Sequence, residues 1–160
     1  MRIRIANRQR RIPLRTGTYR TWGEKVLRKL GRPEAEISLS FLNDRRIRSL
    51  NKIYRGKDQS TDVLVFPLAL SKSVRWKGAA HRPPPLLLGD VVISVPTARR
   101  QAREQRHSLG REMAWLMIHG ILHLLGYDHE RPEEARRMRR KERTLIRHLF
   151  ESPSKKETAC

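Results

Sequence analysis

The sequence predicts an α+β domain in which a mixed sheet of about four strands packs with helices around one central, almost wholly apolar helix. Three observations lead there. Segments of alternating apolar residues are interspersed with segments of helical periodicity. The run Met113 to Ile118, continued by Ile121, Leu122, Leu124 and Leu125, is apolar nearly all round, which places that helix inside the protein. The 160 residues hold no internal repeat and no inter-domain linker, so a single core accounts for them.

Each element follows from its local pattern. Arg2 to Ala6 alternates arginine and isoleucine, as an edge strand with one wet, basic face would. Trp22, Val26, Leu27 and Leu30 recur at helical spacing within Tyr19 to Leu30, and Gly31 with Pro33 stops that helix. Ile37 to Leu42 alternates again, as a strand. Asn43 or Asp44 can cap a helix that runs to about Tyr54. Asp62 to Phe66 reads as a short strand ended by Pro67. A loop is expected over Ser71 to Pro85, marked by Gly78 and three consecutive prolines. Gly89 to Val95 is a strand, and Pro96 sits in the first turn of the next helix. The apolar helix should span about Ser108 to Leu125, and a last amphipathic helix Pro132 to about Phe150. The domain is therefore expected over residues 1–150, with 151–160 a polar, disordered tail.

The charge is lopsided. Lys and Arg number 36 against 16 Asp and Glu, a net charge of +20. Arg2, Arg4, Arg8, Arg10, Arg11 and Arg15 precede any acidic residue, and Arg131 to His148 holds seven arginines and one lysine against three glutamates. Clustered guanidinium groups suit a polyanion such as nucleic acid, because their forks match phosphate and binding releases counterions; a soluble positive surface is the plainer alternative. The only cysteine is Cys160, so no disulfide can form within the chain, which fits a reducing cytoplasm. No apolar run approaches membrane-spanning length, and the arginine-rich start lacks the apolar centre of a secretory signal.

The segment His119-Gly-Ile-Leu-His123-Leu-Leu-Gly126-Tyr-Asp128-His129 carries the sharpest chemistry. His119 and His123 are four apart and share a helix face. Gly126 can end the helix in a left-handed conformation, and the returning chain can bring His129 to the same point. A lone histidine in an apolar helix is usually a hydrogen-bonded core residue, yet three converging imidazoles form a common ligand set for a catalytic zinc with one open position. The spacing is that of the long metzincin motif, except that Gly120 stands where those proteases carry their general-base glutamate. That change opposes peptide hydrolysis. A glycine inside the helix also suggests the close approach of a substrate backbone or a packed neighbour. Asp128 can orient an imidazole or simply close the turn. Glu112, seven residues before His119, can fix the ligand geometry or pair with an arginine. His81, His107 and His148 read singly as surface residues, although any of them, or Asp128, could supply a fourth, closing ligand.

A second constellation lies at Asn51 to Pro67. Arg55 and Lys57 flank Gly56 at a helix-to-strand turn, where a guanidinium can reach a phosphate or remain a solvated loop group. Thr61-Asp62 is placed to close a turn, and Tyr54 to pack.

Together the two segments resemble the YbeY family of bacterial rRNA maturation factors, which are metal-dependent endoribonucleases. The resemblance covers roughly residues 35 to 145. It rests on Leu50-Asn51 with Tyr54-Arg55, on Asp58, on Thr61-Asp62-Val63-Leu64 with Phe66-Pro67, on Leu88-Gly89-Asp90 with Ile93-Ser94, and on the His119-to-His129 motif. It implies zinc ligation by His119, His123 and His129 and a functional role for Arg55. It implies action on single-stranded RNA, notably in late maturation of the 16S rRNA 3′ end and in ribosome quality control. The small ribosomal subunit, ribosomal proteins and a ribosome-assembly GTPase would be its partners. Ser60 replaces the family's usual proline, and Val65 its usual serine. A zincin-type protease and a non-catalytic assembly factor with structural zinc are the rival readings.

Overall fold

A computed structural model describes residues 3–68 and 86–151. The expected loop at 71–85, the tail beyond Glu151, and the positions of Arg2, His81 and Cys160 lie outside these residues. The elements run β1 (Ile3–Asn7), α1 (Thr16–Lys29), β2 (Ala35–Leu42), α2 (Asp44–Arg55), β3 (Val63–Pro67), β4 (Leu86–Ser94), α3 (Val95–Glu104), α4 (Leu109–Leu124) and α5 (Pro132–Phe150). The strands form one sheet in the order β1-β2-β4-β3. β1, β2 and β4 are parallel, and β3 is antiparallel to β4, so the sheet is mixed.

Alternation along the strands divides the sheet into two faces. Ile37, Leu39 and Phe41 of β2, with Val91 and Ile93 of β4, join the main core with α1, α4 and α5. Leu42, Leu64 and Val92 point the other way, where Ile47 of α2 completes a smaller cluster. Helix α4 touches α1, α3, α5, β3 and β4, as its all-round apolarity predicts. Met113, Leu116, Met117, Ile118, Ile121, Leu122 and Leu124 are all buried along it. Each contributes about 1.5–3 kcal/mol on burial, which far outweighs the ~1 kcal/mol that Gly120 costs as a helix former. Among the described residues no helix is long and apolar enough to cross a membrane.

Several strand ends differ from expectation by one or two residues, and two element starts, those of α1 and β4, differ by three. α1 starts at Thr16, three residues before Tyr19, because its N-cap is Arg15, which makes no side-chain cap. β4 starts at Leu86 rather than Gly89, since Leu86 and Leu87 pair with Ala35 and Glu36 across a register shift at Glu36/Ile37. Gly89 accommodates the irregularity with φ +142°, and a Cβ there would collide with the Phe66 carbonyl oxygen. The shift hides the first turn of alternation, and the adjacent prolines hide the rest.

Both candidate caps of α2 are used, differently. The Asn43 side chain accepts from the Arg46 N–H at 2.9 Å. Asp44 instead joins separate parts of the chain. Its Oδ1 accepts from the hydroxyls of Ser94 (2.6 Å), Thr97 (2.6 Å) and Ser60 (3.1 Å), and its Oδ2 from Arg100 (2.9 Å). The Ser60 bond needs the serine hydroxyl, which a proline at that position would lack. Burial pushes the Asp44 carboxyl up, but the bonds from Ser94, Thr97, Arg100 and Ser60 outweigh it and hold the group at about 2. A carboxyl depressed in the folded state adds stability above its ordinary value of 3.8 and loses it as the pH falls toward 2. With the side chain one-third exposed, the contribution is about 1–2 kcal/mol. Urea unfolding at pH 6 and pH 2.5 should show the wild type losing about that much more stability than Asp44→Asn; equal losses would mean the cluster is not coupled to folding.

Candidate metal centre

Helix α4 ends as its sequence requires. Gly126 takes φ +97°, its N–H donates to the His123 carbonyl, and the Tyr127 N–H donates to the Leu122 carbonyl. The chain reverses there and His129 returns beside the last turn. One donor atom from each of His119, His123 and His129 lies within 4.8 Å of the others, and this is the sole such cluster of metal-binding type among the described residues. The Nε2 atoms of His119 and His123 are 3.1 Å apart. Two nitrogens bound tetrahedrally at 2.0–2.1 Å to one ion lie about 3.3 Å apart, so this pair is spaced as an edge of such a site. His129 is exposed, and the cluster opens to solvent on its side.

The tautomer of His119 is set by a residue that sequence reasoning did not single out. Glu142 of α5 is 2% exposed. It accepts from His119 Nδ1–H at 2.7 Å. That bond leaves Nε2 unprotonated and facing His123 and His129, which is the arrangement a ligating histidine needs. Burial pushes His123 below the usual imidazole range, and the neighbouring His119 and His129 add to the effect. A neutral ring is the ligating form. The donor set, its spacing and its tautomer fit a divalent metal ion.

Glu112 does not serve these rings. It sits in the first turn of α4, about 10 Å along the axis from His119. Its carboxylate is 2.6 Å from His107 Nε2. Its partner is therefore neither an imidazole of the cluster nor an arginine, and His107 is half-buried in this pair rather than a free surface group. Asp128 takes the turn-closing role: its Oδ1 accepts from the His129 backbone N–H at 2.7 Å. Neither Asp128, His107 nor His148 joins the three-imidazole cluster.

Gly120 is fully buried and faces β4. A Cβ at that position would lie 2.6 and 2.9 Å from the two methyl carbons of Val91. The bulky neighbour is thus the sheet. No side chain longer than hydrogen fits between α4 and β4, and the zincin glutamate has no room.

Arg55 is the last residue of α2, on the opposite face of the sheet. Gly56 follows in the left-handed region at φ +69° and caps the helix. The next loop is fixed by Arg48 donating to Asp58 (2.8 Å) and by buried Asn51 donating to the Gln59 carbonyl (2.9 Å). Arg55 itself is exposed and forms no ion pair among the described residues. Its neighbour Tyr54 is 65% exposed and packs edge-on against Phe66 with ring centroids 5.2 Å apart. Phe66 in turn lies against Gly89, and Gly89 against Leu124, one residue beyond His123. Asp62 closes the strand start, accepting from the Val63 N–H at 2.7 Å.

Residues 4–150 match the family model described as endoribonuclease YbeY. An endoribonuclease YbeY of Geobacter metallireducens is 43% identical over 148 residues, covering 91% of this chain and 94% of that protein. The chain belongs to the endoribonuclease YbeY family. A YbeY of Anaeromyxobacter sp. strain Fw109-5 is 48% identical over 149 residues, covering 92% of this chain and 71% of its relative. The solution structure of TM1509 from Thermotoga maritima superposes with a TM-score of 0.63 at 24% identity, over 93% of this chain and 89% of that one, and shares the fold. Family membership and the histidine cluster agree on a metal-dependent endoribonuclease. The YbeY match embraces both constellations and the α5 segment that carries Glu142.

Proposed function

We propose that this chain, as one catalytic domain over residues 1–150, cuts phosphodiester bonds in single-stranded RNA with a zinc ion held by His119, His123 and His129. The observation that carries the reading is the convergence of three imidazole nitrogens within 4.8 Å, with the His119 tautomer fixed by Glu142. When bound, zinc supplies Lewis acidity to a phosphoryl oxygen or a water. The chain's own groups do the rest. Glu142 keeps the His119 lone pair aimed at the site. Exposed His129 leaves a side of the cluster open to a long strand. Arg55, without an acidic partner among the described residues, is free to contact a phosphate and offset the charge that develops during cleavage.

The natural substrate is ribosomal RNA, notably the 3′ end of 16S rRNA, on the small ribosomal subunit, with ribosomal proteins and a ribosome-assembly GTPase as partners. The family's endoribonuclease name and the net charge of +20 support an RNA substrate, because a surface so basic holds a phosphate backbone with little sequence reading. The protease reading has no carboxylate at position 120 and no room for one. The structural-zinc reading lacks a fourth protein ligand among the described residues.

The test is metal analysis of protein purified without added metal, paired with digestion of a labelled single-stranded RNA beside an unstructured polypeptide. About one zinc per chain, with cut RNA and intact polypeptide, is expected. Metal-free protein that still cuts RNA, or a degraded polypeptide, defeats the reading. In the same assay Arg55→Ala should keep its zinc and cut about 10²–10³-fold more slowly, the range for removing one group that stabilises developing charge. Normal turnover would return Arg55 to a solvated loop group.

A further inference from the structure

Residues 111, 115, 119 and 123 recur every four positions, so each neighbours the next along the surface of α4. The last two are imidazoles of the metal centre. The first two line a cavity of about 530 Å³ between α4 and α5. Helix α5 runs back along α4: Glu142 meets His119, and one turn later Ile146 and Arg147 line this cavity. The cavity and the metal donors are thus neighbours along the same pair of helices, with the Glu142–His119 bond between them.

The wall combines an aromatic plane, an apolar side and guanidinium forks. Trp115 is half-buried and Ile146 buried. Arg111, Arg143 and Arg147 line the cavity with them, as does Gln105. Glu112, the buried acid in the wall, is already engaged by His107 at 2.6 Å. Arg147 has only exposed Glu151 at 3.9 Å, and Arg111 and Arg143 form no ion pair among the described residues. An aromatic side chain offers stacking to any base, and three guanidinium forks against one exposed, loosely held carboxylate, that of Glu151 in the same wall, offer bidentate bonds to phosphate. An acidic peptide would use the arginines but not the indole plane.

We propose that this cavity is a nucleotide subsite for the single-stranded RNA. A base stacks on Trp115, and the adjoining phosphate is held by Arg143 and Arg147. The bond to be cut lies at the imidazoles, about 6–12 Å from Trp115 along the axis of α4. The subsite rests on the RNA reading above, and it would fix the strand at a second point and so set which bond reaches the metal.

The test separates the two. Adenosine and uridine 5′-monophosphate, inorganic phosphate and an acidic peptide are titrated into the full-length, zinc-loaded protein while the Trp115 indole N–H is followed by NMR. Nucleotides should shift that resonance saturably and more tightly than phosphate or peptide. Arg143→Ala/Arg147→Ala should weaken nucleotide binding by roughly tenfold. The same variant should raise KM for an oligoribonucleotide by a similar factor and leave kcat unchanged. The arginine pair is chosen because both are exposed, whereas Trp115 packs against the core and its truncation could unfold the chain. An indole that ignores nucleotides, a tighter response to the acidic peptide, or an unchanged KM in the double variant overturns the subsite. A clear nucleotide shift in a protein that never cuts RNA leaves the subsite standing and sinks the nuclease reading alone.

Discussion

His123→Ala should yield a folded protein that no longer retains metal and no longer cuts RNA. His123 is only partly buried, in the last turn of α4, so removing its ring takes little from the core. It is also the central member of the cluster, with ring centroids 4.6 Å from His119 and 5.2 Å from His129. Two remaining imidazoles cannot hold a labile divalent ion against dilution. Losing an outer-shell partner of a ligating histidine typically costs 10–100-fold in metal affinity. Loss of a ligand should therefore exceed about a hundredfold, and cleavage should fall with occupancy. Glu142→Gln gives a graded companion. It frees the His119 tautomer without deleting a donor, so affinity should drop within that 10–100-fold range and excess metal should restore turnover. Metal titration monitored with a competing chelator, beside cleavage of a labelled oligoribonucleotide, reads both. A His123→Ala protein that cuts RNA at the wild-type rate while free of metal would end the assignment.

Gly120→Glu should fail to make a protease and should nearly unfold the domain. The Cβ alone overlaps both methyls of Val91, and Val91 sits on β4, held between β2 and β3. A branched side chain on a central strand cannot swing away. Overpacking costs about 1–3 kcal/mol, and an unpaired carboxylate buried against an apolar strand adds several more unless it takes up a proton. Replacing glycine in a helix returns at most ~1 kcal/mol. A net loss above about 3 kcal/mol is a large part of the ~5–15 kcal/mol that holds an ordinary domain together. It would lower the melting temperature by roughly 10 °C, as differential scanning calorimetry can read. A stable Gly120→Glu protein that hydrolyses peptides would mean that position 120 faces the metal and not the sheet.

The order of elements was legible because each signal was local: alternation in β2, the Pro96 start of α3, the left-handed glycine after α4. The three imidazoles were legible for the same reason, lying within eleven residues around one predictable turn. What stayed hidden was long-range. Glu112 shares a periodic face with His119, yet two turns of helix separate them and His107 is the nearer partner. Glu142 lies 23 residues from its histidine. Its one local sign was a glutamate on the stripe of Met138, Leu145 and Ile146, the buried side of an otherwise charged helix. A carboxylate in that position needs a buried donor, and α4 offers one. The Asp44 cluster was equally invisible, since Ser94 and Thr97 come from positions 50 and 53 residues away.

The bond from α5 to His119 ties the last helix of the domain to the ring that receives the cation. Whatever secures that imidazole also secures the helix, and whatever loosens the helix releases the carboxylate that orients the ring. Metal loading and closure of the C-terminal segment thus become a single equilibrium. A cation at a hundred times its dissociation constant would add about 2.7 kcal/mol to the folded state, and chelation should be felt first as opening of the seam between α4 and α5.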